Sequence, residues 1–277
     1  MRCPDALAAT RSGGNDPDRY VAPTDGERDA LRDTIASLLE AQARGAAAKS
    51  AAHAGFELVD LPEVPDAVLV REIEGRRRGG GAYVVRFEAQ ARDTAIEAPH
   101  TFFEEGTLAL AYELFQRASG AALFINTAHR YTSSPGEGRI EHGSDVAHSR
   151  SSLFQAATEG LIRAIAAPTV VQLHGFATRG TEMAAVISSG EARPGDPLVA
   201  RVAAAMAMAT AGVKRYPEDS SELGATTNVQ GEIVRAAGGR FLHVELGASL
   251  RKELVTDAQL RARLLDAIVS ALGERPT

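Results

Sequence analysis

Two histidines stand at the ends of short apolar segments and could bind a metal ion. His100 closes the segment TAIEAPH, and His174 lies in VVQLHGF. Two carboxylates, Glu104 and Glu105, follow closely after His100. Two imidazoles and one carboxylate are a ligand set of catalytic zinc, which leaves a fourth position open for water. The sequence therefore predicts a Zn²⁺ site formed by His100, His174 and one of the two glutamates.

A third glutamate stands in the late apolar segment FLHVELG, where strand alternation places His243 and Glu245 on one face. A carboxylate in an apolar strand is costly unless it is paired or functional. Glu245 could form a salt bridge with Arg251. The predicted zinc ligands favour the other interpretation, a general base that takes a proton from the water at the open position.

Five further polar residues follow the next strand or precede the next helix. Arg130, after His129 in NTAHRY, can bind a substrate carboxylate through two parallel hydrogen bonds or stabilise an oxyanion, and a surface ion pair is equally compatible. His129 could support the site from outside the ligand set. Asp145 or Ser149 could simply cap the following helix, or His148 could face the pocket and contact substrate, and the pattern favours neither.

The elements that must position these residues alternate between strand and helix from residue 93 onward. Short apolar segments predict strands at 94–98, 121–128, 169–173, 184–188 and 241–246. Apolar residues at helical spacing predict helices at 107–118, 151–166, 197–210, 227–237 and 257–272. This alternation is typical of an α/β fold with a mostly parallel or mixed, doubly wound sheet flanked by helices. In such sheets ligands bind beyond the carboxyl ends of the strands, where the candidate residues lie.

The domain organisation follows from where periodicity begins. Residues 1–25 are rich in Gly, Pro, Asp and Arg without periodicity, which predicts a flexible tail. Residues 26–277 are expected to form a single α/β domain. Within it, residues 26–92 contribute an N-terminal helical region and a hairpin of two strands, at 67–73 and 82–89.

Composition excludes several classes of protein. The 277 residues, 44% hydrophobic and 24% charged, are ordinary for a globular chain, and a net charge of −6 argues against a nucleic-acid partner. The single cysteine, Cys3, excludes disulfides within one chain. Neither a membrane-spanning segment nor the apolar core of a secretory signal is evident, so we expect a cytoplasmic protein without a membrane partner. The expected partner is a small-molecule or peptide-like substrate.

Three motifs together resemble the zinc carboxypeptidase-like superfamily. They are PH-x3-E-x-GT at 99–107, QLHG at 172–175 and VEL-x3-LR at 244–251. Within that superfamily the chain resembles the phage poly-γ-glutamate hydrolases and the N-formylglutamate amidohydrolases. The similarity covers roughly residues 93–255. It implies a carboxypeptidase-like α/β fold and zinc-dependent hydrolysis of an amide bond in a peptide-like or N-acyl amino-acid substrate.

The resemblance also assigns residues. His100, Glu104 and His174 correspond to the zinc ligands, Glu245 to the base, and Arg251 to the basic residue after that strand. Alignment on the Gly-Thr pair at 106–107 selects Glu104 as the acidic ligand, whereas the spacing of poly-γ-glutamate hydrolases selects Glu105. The predicted substrate contacts are Arg130, His148 and Arg251.

Two alternatives to amide hydrolysis stay open. One is ester hydrolysis or deacetylation at the same metal. The other is a non-catalytic α/β binding module, in which the histidines and glutamates are core or surface residues. The presence or absence of bound metal distinguishes the second alternative from an enzyme.

Overall fold

A computed structural model describes residues 4–12, 20–40, 44–87, 92–132, 143–177 and 183–273. The helices in these ranges are α1 (Asp5–Ser12), α2 (Asp25–Leu39), α3 (Arg44–His53), α4 (Thr107–Arg117), α5 (Leu153–Ala164), α6 (Pro197–Ala207), α7 (Val229–Ala236), α8 (Ala248–Thr256) and α9 (Ala258–Gly273). The strands are β1 (Phe56–Asp60), β2 (Ala67–Glu72), β3 (Ala82–Arg86), β4 (Arg92–Ala98), β5 (Gly120–Ile125), β6 (Thr169–Phe176), β7 (Ala185–Ser188), β8 (Val213–Arg215) and β9 (Arg240–Gly247). No helix in the described ranges is long and apolar enough to cross a membrane.

The described strands form one sheet in the order β1-β2-β3-β5-β4-β6-β9-β7-β8. The central strands β5, β4, β6 and β9 run parallel, whereas β3 and β7 pair antiparallel with the outer two of these. From β4 the chain passes through α4 to β5 on one side, and then through α5 to β6 on the other. The topology therefore confirms the predicted α/β class with a mixed, doubly wound sheet flanked by helices.

Each face of the sheet carries its own hydrophobic cluster. Alternation along β6 sends Val171 and Leu173 into one cluster and Val170 into the other. The first cluster includes side chains of α4, α6, α8 and α9, and the second includes side chains of α2, α3, α5 and α7. Helices α2 and α5 approach so closely that a Cβ on Gly160 would lie 2.6 Å from the carbonyl oxygen of Arg32. These two layers hold the parallel strands in place and leave the sheet edge at their carboxyl ends free for polar side chains.

The structure contains elements that the sequence pattern did not predict. Strands β1 and β8 lie at the two edges of the described sheet and are only partly buried, so they lack a long apolar run. Helix α8 is short and its sequence ASLRKELVT carries several charges. The predicted hairpin is confirmed, because β2 and β3 pair antiparallel.

The N-terminal segment differs from the flexible tail that its composition predicts. Residues 5–12 form α1, and Leu7 is fully buried in the first hydrophobic cluster. Arg77 Nη1 donates a hydrogen bond to the carbonyl oxygen of Ala9 at 3.1 Å. A helix of 8 residues is too short to show convincing periodicity in the sequence. The expectation of a single α/β domain over residues 26–277 stays a prediction.

Candidate metal centre

The carboxyl ends of β4, β6 and β9 lie side by side and bring the predicted residues together. His174 in β6 stands in register with Glu245 in β9, and His100 follows the end of β4. The ring centroids of His100 and His174 are 4.8 Å apart, and those of His174 and His243 are 4.5 Å apart. Residues from three segments that are distant in the sequence therefore converge on one edge of the sheet.

A single helical turn after β4 brings Glu104 to His100. The backbone N–H of Glu104 donates to the carbonyl oxygen of His100 at 2.8 Å, and side chains four residues apart in such a turn share a face. His100 Nδ1 lies 2.9 Å from Glu104 Oε1, and His174 Nδ1 lies 3.5 Å from Glu104 Oε2. Glu105 is exposed. The structure therefore places Glu104, rather than Glu105, beside the two histidines.

These three side chains form a buried set of metal-donor atoms. Their residues are 2% (His100), 3% (Glu104) and 4% (His174) exposed, and one donor atom from each lies within 4.8 Å of the others. Burial acts to raise the pKa of Glu104, but His174 and His100 hold it well below its usual range, so the carboxyl is ionised. Burial lowers the pKa of His174, which favours the neutral imidazole. A carboxylate and a neutral imidazole are the forms that bind metal.

Asp145 orients His100 from the opposite side of the ring. His100 Nε2 lies 2.8 Å from Asp145 Oδ1, and Asp145 Oδ2 accepts a hydrogen bond from Arg130 Nη2 at 2.6 Å. Burial acts to raise the pKa of Asp145, but His100 and His148 hold it well below its usual range. Metal-binding histidines commonly donate their second ring N–H to a carboxylate, which fixes the tautomer and the orientation of the ring. Asp145 is placed to do this for His100.

The capping role that the sequence allowed for Asp145 or Ser149 is not what the structure shows. The N-cap of α5 is Ser152, whose side chain accepts from the N–H of Gln155. His148 is partly exposed, and its Nδ1 lies 3.3 Å from Asp145 Oδ1. His148 therefore borders the site through Asp145, and a contact between His148 and substrate stays a prediction.

Arg130 borders the donor atoms directly. Its Nη1 lies 3.3 Å from His100 Nδ1 and 3.7 Å from Glu104 Oε1. Its guanidinium also lies over the rings of Phe103 and Tyr131, at 5.7 and 5.3 Å from their centroids. The guanidinium thus lies between the donor set and two half-exposed aromatic rings, where it could meet a substrate.

His129 belongs to this aromatic group instead of the donor set. Its ring centroid is 5.5 Å from that of Phe103 and 5.8 Å from that of Tyr131. Its Nδ1 accepts a hydrogen bond from the backbone N–H of Tyr131 at 3.3 Å. Arg130 contacts the same two rings but also reaches the donor atoms, whereas His129 has no contact with the donor set among the described residues.

Glu245 is buried beside the donor set with an unpaired oxygen. The residue is 8% exposed, and its Oε2 has no hydrogen-bond partner among the described residues. Its Oε1 lies 3.7 Å from Nε2 of His243. Burial first, and the nearby charge of Glu104 second, raise the pKa of Glu245 to about 8. Such a carboxyl group can accept and release a proton near neutral pH.

His243 also belongs to this site, although no role was predicted for it. Its Nδ1 is buried without a hydrogen-bond partner among the described residues. Donor atoms of His174, His243 and Glu245 also lie within 4.8 Å of one another, so His174 belongs to two overlapping sets. The sequence did indicate that His243 shares a strand face with Glu245. Alternation alone does not show which other side chains that face contacts.

Arg251 directs its hydrogen bonds at backbone. Its Nε donates to the carbonyl oxygen of Glu105 at 3.0 Å, and its Nη1 donates to the carbonyl oxygens of Phe176 and Leu246. Gly175 makes room for it, because a Cβ there would lie 2.1 Å from Arg251 Nη1. Arg251 thereby ties the loop after β4 to the ends of β6 and β9, and its contact with substrate stays a prediction.

Comparisons with known proteins find similarity only among solved structures. No protein-family model and no curated protein matches the chain. A bacteriophage poly-γ-glutamate hydrolase is 17% identical with a TM-score of 0.47, covering 72% of this chain and 92% of that one. A metallo-carboxypeptidase from Burkholderia cenocepacia is 15% identical with a TM-score of 0.46, covering 83% and 68%. An aspartoacylase family protein from Mesorhizobium loti is 15% identical with a TM-score of 0.43, covering 77% and 70%. These are similarities of fold.

Proposed function

We propose that this chain is a zinc-dependent hydrolase that cleaves an amide bond in a peptide-like or N-acyl amino-acid substrate. The observation that carries the proposal is a buried glutamate, Glu245, with an unpaired oxygen beside a buried set of two imidazoles and one carboxylate. Buried polar side chains with a purely structural role would be expected to satisfy each other's hydrogen bonds. An unsatisfied carboxylate next to metal donors is what a general base requires.

The donor set fits zinc in its chemistry. His100, Glu104 and His174 supply two nitrogen donors and one carboxylate, the composition of catalytic zinc sites that keep one position open. In both imidazoles Nε2 lies near an oxygen, at 2.8 Å for His100 and 2.7 Å for His174, so Nε2 can carry the hydrogen. Nδ1, which faces Glu104 in both rings, is then able to bind the metal. Zinc held by these residues would act as a Lewis acid and lower the pKa of its water to about 7.

The remaining residues would handle the proton and the substrate. Glu245 takes a proton from the attacking water and returns it to the departing amine nitrogen. Its raised pKa, about 8, suits both steps because the carboxyl group can hold and release a proton near neutral pH. Arg130, held by Asp145 beside the donors, binds a substrate carboxylate or the negative charge that develops on the carbonyl oxygen.

The test is turnover by the zinc-loaded Glu245→Gln variant on a panel of N-acyl amino acids and short peptides. Glutamine keeps the shape of the side chain but cannot accept the proton, so we expect kcat to fall by roughly 10²–10⁴-fold while zinc stays bound. Glu105→Gln is the matched control, since Glu105 is exposed and lies outside the donor set. A zinc-loaded Glu245→Gln enzyme with wild-type turnover would remove Glu245 as the base.

The same panel separates the alternatives. Turnover of esters or acetylated amines without turnover of N-acyl amino acids would support an esterase or deacetylase. A wild-type chain that binds no zinc after dialysis against the metal, and hydrolyses nothing, would support a non-catalytic binding module.

A further inference from the structure

A chain of buried polar contacts begins at His174 Nε2, the ring nitrogen that faces away from Glu104. Glu97 in β4 and Gln172 in β6 are both fully buried, and neither belongs to the donor set. Gln172 Nε2 donates to Glu97 Oε2 at 2.7 Å, and Gln172 Oε1 lies 2.7 Å from His174 Nε2. A carboxylate in the middle of a sheet is costly to bury, so its contacts need an explanation.

Two independent contacts set which end of the Gln172 amide faces His174. Glu97 accepts hydrogen bonds, from Gln172 at one oxygen and from Thr158 Oγ1 at the other, so the amide nitrogen must face Glu97. Asn228 sets the same orientation from another direction. Its Oδ1 accepts from the backbone N–H of Gly231 as the N-cap of α7, which leaves its Nδ2 to donate to Gln172 Oε1 at 2.6 Å.

The orientation of this amide decides the tautomer of the histidine. Because an oxygen faces His174 Nε2, that nitrogen must carry the hydrogen and donate it. His174 Nδ1 then has its lone pair free, and this is the nitrogen that faces Glu104. We propose that Glu97 and Gln172 are positioning residues that hold His174 as its Nε2–H tautomer, with Nδ1 ready to bind the metal. The importance of this tautomer for metal binding rests on the proposed function.

The arrangement holds in either protonation state of Glu97. Burial raises the pKa of this carboxyl to about 7, so both states occur near neutral pH. When protonated, Glu97 can donate to Thr158 Oγ1, whose hydroxyl can in turn donate to the carbonyl oxygen of Phe154, 3.2 Å away. The other oxygen of Glu97 still accepts from Gln172, so the amide keeps its orientation.

Exchanging the two residues provides the sharpest test. In the double variant Glu97→Gln/Gln172→Glu, the amide at 97 donates to the carboxylate at 172, which can still accept from His174 and Asn228. Glu97→Gln alone also keeps an acceptor for Gln172. Gln172→Glu alone places two carboxylates at a contact of 2.7 Å in the core. Gln172→Met removes the acceptor for His174 while filling similar space.

We expect Gln172→Met to bind zinc about 10–100-fold more weakly than wild type, the usual effect of losing a partner of a metal-binding histidine. Glu97→Gln and the exchanged double variant should bind zinc nearly as tightly as wild type. Gln172→Glu also keeps an acceptor for His174, so its two opposed carboxyl groups should lower the unfolding temperature of the metal-free chain rather than change the tautomer. Gln155→Met is the matched control. Gln155 is a buried glutamine that accepts from Gln230 Nε2 at 2.9 Å, and Gln230 Oε1 in turn accepts from Gln172 Nε2 at 3.3 Å, so Gln155 belongs to the same network without contacting His174. Chelator competition measures the zinc affinity, and thermal unfolding of the metal-free chains checks their folding.

A second measurement is independent of catalysis. The ¹⁵N chemical shifts of the two ring nitrogens of His174, in the metal-free wild type, should show hydrogen on Nε2. The same pattern is expected in Glu97→Gln and in the exchanged variant, with a mixture of tautomers in Gln172→Met. Hydrogen on Nδ1 of His174 in the wild type would overturn the proposal, as would wild-type zinc affinity in Gln172→Met. Because the tautomer is read without substrate, its result stands apart from any failure to find hydrolysis.

Discussion

Replacing Asp145 with asparagine tests whether the hydrogen bond between Asp145 and His100 Nε2 orients His100 for metal binding. One oxygen of Asp145 lies 2.8 Å from His100 Nε2, and the other accepts from Arg130 Nη2 at 2.6 Å. In Asp145→Asn one of these oxygens becomes an NH₂ group. Either the imidazole N–H or the guanidinium N–H must then face a donor, and the negative charge beside both is gone.

The size of the effect follows from these two losses. Removing the hydrogen-bond partner of a metal-binding histidine lowers metal affinity by about 10–100-fold. A hydrogen bond to a charged group contributes about 1.5–3 kcal/mol, and Asp145 provides the charge for both contacts. We therefore expect the effect of Asp145→Asn to lie near the upper end of this range. Zinc should bind about 100-fold more weakly than to wild type, a loss of about 2.7 kcal/mol in binding free energy.

Competition against a fluorescent zinc chelator measures this affinity, and thermal unfolding of the metal-free chains checks their folding. Asp66→Asn is a suitable control, because Asp66 Oδ2 also accepts from an arginine, Arg86 Nη1 at 2.5 Å, but outside the donor set. Equal zinc affinity in Asp145→Asn and Asp66→Asn would refute the reasoning, since the bond to His100 would then have no bearing on the metal.

Three further outcomes follow from the geometry. Glu104→Gln should weaken zinc binding far more than Glu105→Gln in the same competition assay, because only Glu104 faces both histidines, and the opposite ranking would give the ligand role to Glu105. At saturating zinc, Arg130→Ala should raise KM about 10–100-fold for substrates with a free carboxylate and little for their amidated analogues; equal effects on both would exclude a carboxylate contact. Burial raises the pKa of Glu97 from 4.5 to about 7, so the stabilisation from its protonated form is complete below about pH 4.5 and is lost as pH rises through 7. Relative to Glu97→Gln, the wild type should therefore lose about 3 kcal/mol of unfolding free energy across that range, and a difference independent of pH in urea unfolding would contradict this.

The parts of the fold that the sequence predicted are those with long, buried apolar segments. Strands β4 and β6 lie in the middle of the sheet, so each carries buried apolar residues on both faces, Ala95 and Ile96 in β4 and Val170 and Val171 in β6. Edge strands β1 and β8 lack this pattern because much of their surface is not buried. Helix α1 was missed because its 8 residues, which pack on the core through Leu7 and the partly buried Ala6, show no periodic apolar face.

The site divides along similar lines. His100 and His174 were predictable because each lies at or near the carboxyl end of an apolar segment, and the carboxyl ends of parallel strands lie side by side. The choice of Glu104 over Glu105 depended on a helical turn in a loop, which the residue types do not specify. Asp145 reaches His100 across 45 residues of sequence, so only the path of the chain reveals the pair. Gln172 shares a strand face with His174, but its role depends on its contacts to other segments.

Zinc titration of the metal-free chain would show directly whether hydrolysis depends on zinc at the predicted site. Zinc bound per chain and hydrolysis of an N-acyl amino acid would be followed together as the metal is added. If the site holds a catalytic zinc, bound zinc and the rate of hydrolysis rise in parallel and level off at about one zinc per chain. Hydrolysis that is unchanged after a chelator has removed all zinc would contradict this prediction. Zinc binding that is unchanged by substitution of His100, Glu104 or His174 would contradict it as well.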